Sequence, residues 1–115
     1  MKLVLLVDDE EDFHELGDLH LGRAGYRIVH AVGGRAGIDT LHGGLRPAVI
    51  VLDLQMPDVS GWQVWDWLRT SLDHRHIPVV FWTGSGLQQG AMGLARIVAK
   101  GDMAQLIEAV HSVVN

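Results

Sequence analysis

Five polar residues stand directly after four of the apolar runs in this chain of 115 residues. Asp8 and Asp9 follow Leu3 to Val7, Asp53 follows Ala48 to Leu52, Thr83 follows Ile77 to Trp82, and Lys100 follows Ile97 to Ala99. Three carboxylates brought together repel one another and raise at least one pKa unless a cation relieves them. A hard divalent ion such as Mg²⁺ does so through oxygen ligands and keeps positions open for water or a phosphate. Beside it an ionised Asp53 can attack phosphorus, as in enzymes that pass through an aspartyl phosphate. The Lys100 ammonium would neutralise the phosphoryl oxygens and the Thr83 hydroxyl would donate to one of them. Gly84 offers no side chain to obstruct that approach.

Those residues meet only if the apolar runs are parallel neighbours. Five short apolar stretches alternate with helix-like segments, the pattern of a parallel sheet with helices on its faces. Leu3 to Val7 and Ala48 to Leu52 are nearly continuous in apolar residues, as strands covered on both sides should be. Tyr26 to Val32 is a more amphipathic second strand. Helices are expected over Glu10 to Ala24, with Phe13, Leu16 and His20 on one side, and over Gly34 to Leu41 and Trp62 to Leu72. A last one, Asp102 to Val114, aligns Met103, Leu106, Ile107, Val110 and Val114. In such sheets functional residues gather at the C-terminal strand ends.

Composition narrows the function. One domain, residues 1–115, is expected from the length, and 48% hydrophobic residues suffice for a core. A net charge of −5 with no basic cluster argues against direct nucleic-acid binding, which depends on neutralising phosphates. The absence of cysteine removes disulfides and thiolate zinc sites. The apolar start is too short for a signal peptide or a membrane span, so a cytoplasmic, membrane-free protein is expected.

The segments Val7-Asp8-Asp9-Glu10, Val51-Leu52-Asp53-Leu54-Gln55-Met56-Pro57-Asp58-Val59-Ser60-Gly61, Pro78-Val79-Val80-Phe81-Trp82-Thr83-Gly84 and Lys100 resemble, in order, the receiver domains of bacterial two-component response regulators. The resemblance covers nearly the whole chain. It implies an α/β, (βα)5 flavodoxin-like, three-layer fold with a parallel five-stranded sheet in the order 2-1-3-4-5. It further implies phosphoryl transfer from a sensor histidine kinase or phosphotransfer protein to Asp53. Asp9, Asp53 and the Gln55 backbone carbonyl would ligate Mg²⁺, Asp8 would act through water, and Thr83 and Lys100 would bind the phosphoryl group. Gln55 and Ser85 would flank the water that later attacks it. A downstream effector or output domain would dock on the face of the fourth helix, fifth strand and last helix, and the oligomeric state, monomer or homodimer, stays open.

Three features depart from the family. Gly101 follows Lys100 where a proline in a cis peptide is usual; a cis bond without proline costs about 3 kcal/mol, which leaves either isomer open and allows a looser, trans loop. Only 16 residues separate Thr83 from Lys100, and four glycines lie between positions 84 and 93. Each costs roughly 1 kcal/mol inside a helix, which predicts a short or irregular fourth helix. Ile97 stands where a switching Tyr or Phe is common. The missing proline and aromatic ring suit an alternative, a receiver-like interaction module that works without phosphate through a constitutive surface at its short fourth-helix region; the complete acidic set and Thr83 oppose it. A phosphatase of the haloacid dehalogenase type would need a second Asp where Gln55 stands.

Seven histidines raise the question of a metal site. The densest pair, His74 and His76, has no third ligand at a recognisable spacing and reads as part of a polar loop. Trp65 is expected in the core, whereas Trp62 or Trp67 is a candidate exposed contact.

Overall fold

The computed structural model describes residues 1–84, 90–92 and 95–114. Strands β1 (Leu3–Asp8), β2 (Arg27–Val32), β3 (Val49–Asp53), β4 (Val79–Thr83), β5 (Gly90–Met92) and β6 (Ala95–Ala99) alternate with helices α1 (Glu11–Arg23), α2 (Gly34–His42), α3 (Gly61–Thr70) and α4 (Met103–Val114). The sheet order is β2-β1-β3-β4-β6-β5. Its first five members are parallel and run in the expected 2-1-3-4-5 order, while β5 pairs antiparallel with β6 at the edge. The expected short fourth helix falls mostly on residues outside those described, and its described part, Gly90–Met92, is this added edge strand. Ser85 also lies outside the described residues.

Every side chain of β3 and β4 is buried, because helices cover both faces. One apolar layer joins Leu5, Val7, Leu52 and Phe81 to α2 and α3; the other joins Val4, Leu6, Val51 and Trp82 to α1 and α4. This is the period-two alternation of strand side chains dividing a single sheet between two cores.

The face that α1 buries differs from the expected one. Phe13, Leu16 and His20 are only half-buried, and His14, Gly17 and Leu21 point inward. Gly17 explains the rotation. A Cβ there would stand 2.5 Å from Leu6 Cδ2, so the helix backbone lies against the sheet where a bulkier residue would hold it off. Acidic Glu11 and Asp12 open the helix and His20 and Arg23 close it, in the sense its dipole favours. The loop before α3 ends in a capping box: Ser60 Oγ accepts from Gln63 N–H, and the Gln63 side chain accepts from Ser60 N–H.

On α3, Gly61, Val64 and Leu68 are the fully buried residues. Trp65 and Trp67 are half-buried against the core, and Trp62 is exposed. Trp62 and Trp65 nevertheless share a face, with ring centres 5.1 and 5.6 Å from that of Phe81.

Candidate phosphoryl and cation site

Strand register assembles the site. Val7 lies opposite Leu52, so Asp8 comes level with Asp53; Asp53 lies opposite Trp82, and Thr83 opposite Ala99. Neighbouring strands are about 4.8 Å apart, which sets polar strand ends within a side chain's reach of one another. Lys100 follows Ala99, and its backbone N–H donates to the Thr83 carbonyl at 3.0 Å. That bond extends the ladder by one rung and fixes where the lysine leaves the sheet. The peptide bond from Lys100 to Gly101 is trans, and Gly101 takes the turn with φ of 96°.

The carboxylates divide their oxygens between two tasks. Asp8 Oδ1 accepts from Glu10 N–H at 2.9 Å and Asp53 Oδ1 from Gln55 N–H at 3.3 Å, turning the chain sharply as each strand ends. The Oδ2 atoms converge on Lys100 Nζ, at 2.8 Å from Asp8 and 3.3 Å from Asp53, with Glu10 Oε1 at 3.6 Å. Asp8, Asp53 and Thr83 are buried, and the lysine side chain is only 7% exposed. In that setting the charges are weakly screened. Burial pushes the Asp53 carboxyl up to about 6, with the Asp8 charge adding to the push and Lys100 and the Gln55 N–H opposing it. For Lys100, burial disfavours the ammonium. Its hydrogen bond and ion pair with Asp8, joined by Asp53, outweigh that and hold its pKa above the usual value.

Asp8, Asp9, Glu10 and Asp53 each offer a carboxylate oxygen within 4.8 Å of the others. Asp8 Oδ2 is buried with no contact of hydrogen-bond geometry beyond its ion pair, and Asp9 Oδ1 is buried with no hydrogen-bond partner. Four carboxylates and a single ammonium leave a formal excess of three negative charges. An all-oxygen set with orphaned acceptors fits a hard divalent cation such as Mg²⁺.

The cleft above, of about 370 Å³, is lined by Glu10, Phe13, Asp53, Gln55, Gly84 and Lys100. Asp8, Asp9, Asp53, Gln55, Thr83 and Lys100 therefore all lie at this end of the sheet. Glu10, the last residue of the Val7-Asp8-Asp9-Glu10 segment, joins the site although the sequence alone assigns it no role. Phe13, expected on one side of α1 with Leu16 and His20, packs against the core, and Lys100 Nζ sits 4.0 Å from its ring centre and 5.6 Å from that of Trp82. Its position four residues beyond Asp9, in the first turn of α1, was the available signal.

His74 is buried rather than part of an open polar loop. Its Nδ1 meets Ser71 Oγ at 2.7 Å, and its Nε2 lies 3.1 Å from the Leu41 carbonyl, where it donates, and 3.3 Å from Arg46 Nη1.

A doubly covered parallel sheet with an acidic, lysine-bearing cleft at its C-terminal edge defines a flavodoxin-like receiver. The chain belongs to the response regulator receiver domain family, whose sequence profile matches residues 4–111. It is 35% identical over 79 residues to the polar-differentiation response regulator DivK of Brucella anthropi, covering 69% of this chain and 63% of that one. It is 36% identical over 86 residues to the DNA-binding dual master transcriptional regulator RpaA of Synechocystis, covering 75% of this chain and 35% of the relative. The matched region thus spans less than two thirds of either relative. The response regulator TrrA of Thermotoga maritima, solved in complex with Mg²⁺ and BeF, superposes with a TM-score of 0.86 at 26% identity, covering 98% of this chain and 99% of that one. The chemotaxis protein CheY4 of Vibrio cholerae shares the fold, with a TM-score of 0.83 at 22% identity over 98% of both chains. Among the described residues no helix is long and apolar enough to cross a membrane.

Proposed function

We propose that the whole chain, residues 1–115, is a cytoplasmic phosphoacceptor domain that takes a phosphoryl group from a sensor histidine kinase or phosphotransfer protein onto Asp53. The observation that carries this reading is the convergence of Asp8 and Asp53 on Lys100 at 2.8 and 3.3 Å inside an oxygen-rich cleft. Asp8, Asp9 and Asp53, with the Gln55 backbone carbonyl, would hold Mg²⁺. When bound, that ion neutralises phosphoryl charge and keeps Asp53 ionised at neutral pH. The structure of TrrA with Mg²⁺ and BeF supports the assignment by similarity.

The chain's own residues account for the rest. An Asp53 carboxylate oxygen forms a bond to phosphorus as the bond from phosphorus to the donor's imidazole nitrogen breaks, and that nitrogen keeps the electron pair. Lys100 turns from Asp53 to a phosphoryl oxygen, stabilising charge beside buried carboxylates, where screening is weak. The Thr83 hydroxyl donates to another of the oxygens. Because the Thr83 carbonyl holds the Lys100 N–H, movement at either strand end reaches the other. The altered state would be read by an effector or output domain on the face of β5, β6 and α4. The chain is an acceptor and switch rather than an enzyme turning over an external substrate.

Trp82 makes this testable, since its buried ring lies 5.6 Å from the Lys100 ammonium. Beryllofluoride with Mg²⁺ should change tryptophan fluorescence in the wild type and leave Asp53→Asn unchanged. Equal responses in both proteins would overturn the proposal.

A further inference from the structure

A second polar cluster lies away from the phosphoryl site, between α1 and the edge strand β2. His14, buried on α1, and His30, on β2, turn their Nδ1 atoms toward each other at 2.5 Å. Their rings meet edge to face, with centres 4.7 Å apart. On the far side of each ring the Nε2 atom is already engaged. His14 Nε2 lies 2.8 Å from the Asp8 backbone carbonyl, and His30 Nε2 lies 2.7 Å from Asp18 Oδ1. A carbonyl and a carboxylate only accept, so both Nε2 atoms must be the protonated ones. In neutral imidazoles the two Nδ1 atoms are then both bare lone pairs, aimed at one another with no hydrogen between them. Two acceptors at that separation require a positive charge where they converge.

We propose that His14 and His30 form a binding site for a borderline divalent transition-metal ion of the Zn²⁺, Co²⁺ or Ni²⁺ class, ligated through their Nδ1 atoms. Histidines that bind metals ordinarily donate the other ring N–H to a carboxylate or a backbone carbonyl, which fixes tautomer and orientation. Both kinds of support are present here, one on each ring. Glu11, Glu15 and Asp18 line the same cleft with the two histidines and Val32. On α1, Glu11 and Glu15 lie three residues before and one after His14, and both are exposed at the cleft rim; with the ion bound, water would fill the positions beyond the two nitrogens unless one of these carboxylates turns inward. Zinc–nitrogen bonds of about 2.0–2.1 Å put tetrahedral nitrogens about 3.3 Å apart. His30, whose side chain is 30% exposed on an edge strand, needs to swing outward by less than an ångström. Imidazole donors select such ions over Mg²⁺, so this site and the all-oxygen cleft would take different metals from one solution.

The test uses the full chain stripped with a chelator and held in millimolar Mg²⁺ to fill the acidic cleft. Zn²⁺ calorimetry and Co²⁺ visible absorption should report one bound equivalent, and the histidine Nδ1 resonances of residues 14 and 30 should shift on binding. His30→Gln, at a partly exposed position that can tolerate the change, should abolish uptake. Asp18→Asn, removing only the support behind the ring, should weaken it about 10- to 100-fold. Asp9→Asn should leave it as it was. Absence of Zn²⁺ binding at millimolar concentration would overturn the site and leave a shared proton between the rings. Binding undiminished in His30→Gln, or lost in Asp9→Asn, would overturn it equally by placing the ion elsewhere.

Discussion

Lys100 and Phe13 are in face contact: the ammonium stands 4.0 Å from the centre of the ring and is pinned between it and the carboxylates of Asp8 and Asp53. Phe13 in turn meets Trp82 edge to face at 5.2 Å. The loop after Lys100 turns on glycine, so side-chain contacts and the bond to the Thr83 carbonyl hold the lysine in place. An ammonium over an aromatic ring gains about 0.5–2 kcal/mol. Phe13→Leu keeps apolar bulk and loses that attraction. Phosphoryl uptake from a small-molecule donor should slow by about 2- to 30-fold if the whole contact is felt in the transition state. The Asp53 carboxyl, followed by carbon NMR, should titrate at a higher pH than in the wild type.

Removing the lysine charge has a larger effect. Lys100→Met leaves Asp8 and Asp53 buried without their cation, a change that costs about 3–5 kcal/mol when one partner of a buried pair is deleted. Denaturant unfolding without metal should show that loss at neutral pH. The loss should shrink as the pH falls and the carboxylates take up protons.

Asp53 sets a pH dependence of its own in the metal-free protein. Its pKa is raised from 3.8 to about 6 in the fold, so between those values the native state holds a proton that the unfolded chain has released. Stability must therefore fall as pH rises through this window, by about 3 kcal/mol from this group. Asp53→Asn, neutral at every pH, should remove this slope and be the more stable protein at pH above about 6. Chemical unfolding in EDTA across the window checks the sign. Added Mg²⁺ should narrow the difference between the two proteins at neutral pH.

Gly61 ties the loop geometry to the site. A Cβ at this position would stand 2.2 Å from the Asp53 carbonyl oxygen and 2.7 Å from Leu54 Cα, both backbone atoms with nowhere to go. Gly61→Ala should cost about 1–3 kcal/mol through overpacking. It should also slow phosphoryl uptake, because the backbone that must yield carries the acceptor. Normal uptake in a destabilised variant would show that the loop gives way elsewhere.

What could be read in the sequence depended on range. The parallel sheet and the polar strand ends were legible because an apolar run ending in Asp, Thr or Lys is a local pattern, whereas the 2-1-3-4-5 order rested on the family resemblance. The buried face of α1 was not, since it is set by the close approach of Gly17 to Leu6, a contact that helical periodicity alone does not register. Strand β5 was missed because a glycine-rich stretch carries no alternation. The pairing of His14 with His30 joins residues 16 apart on different elements, a relation that no local spacing marks. Phe13 was visible as an apolar helix residue, but its place over Lys100 follows from the tilt of the first turn of α1.

The central claim is that Asp53 is the acceptor. Acetyl phosphate and Mg²⁺ should add one phosphoryl group to the wild-type chain, seen by intact mass and mapped by peptide analysis to Asp53, and none to Asp53→Asn. An adduct on another residue, an undiminished adduct in Asp53→Asn, or no adduct in the presence of bound Mg²⁺ would contradict the account.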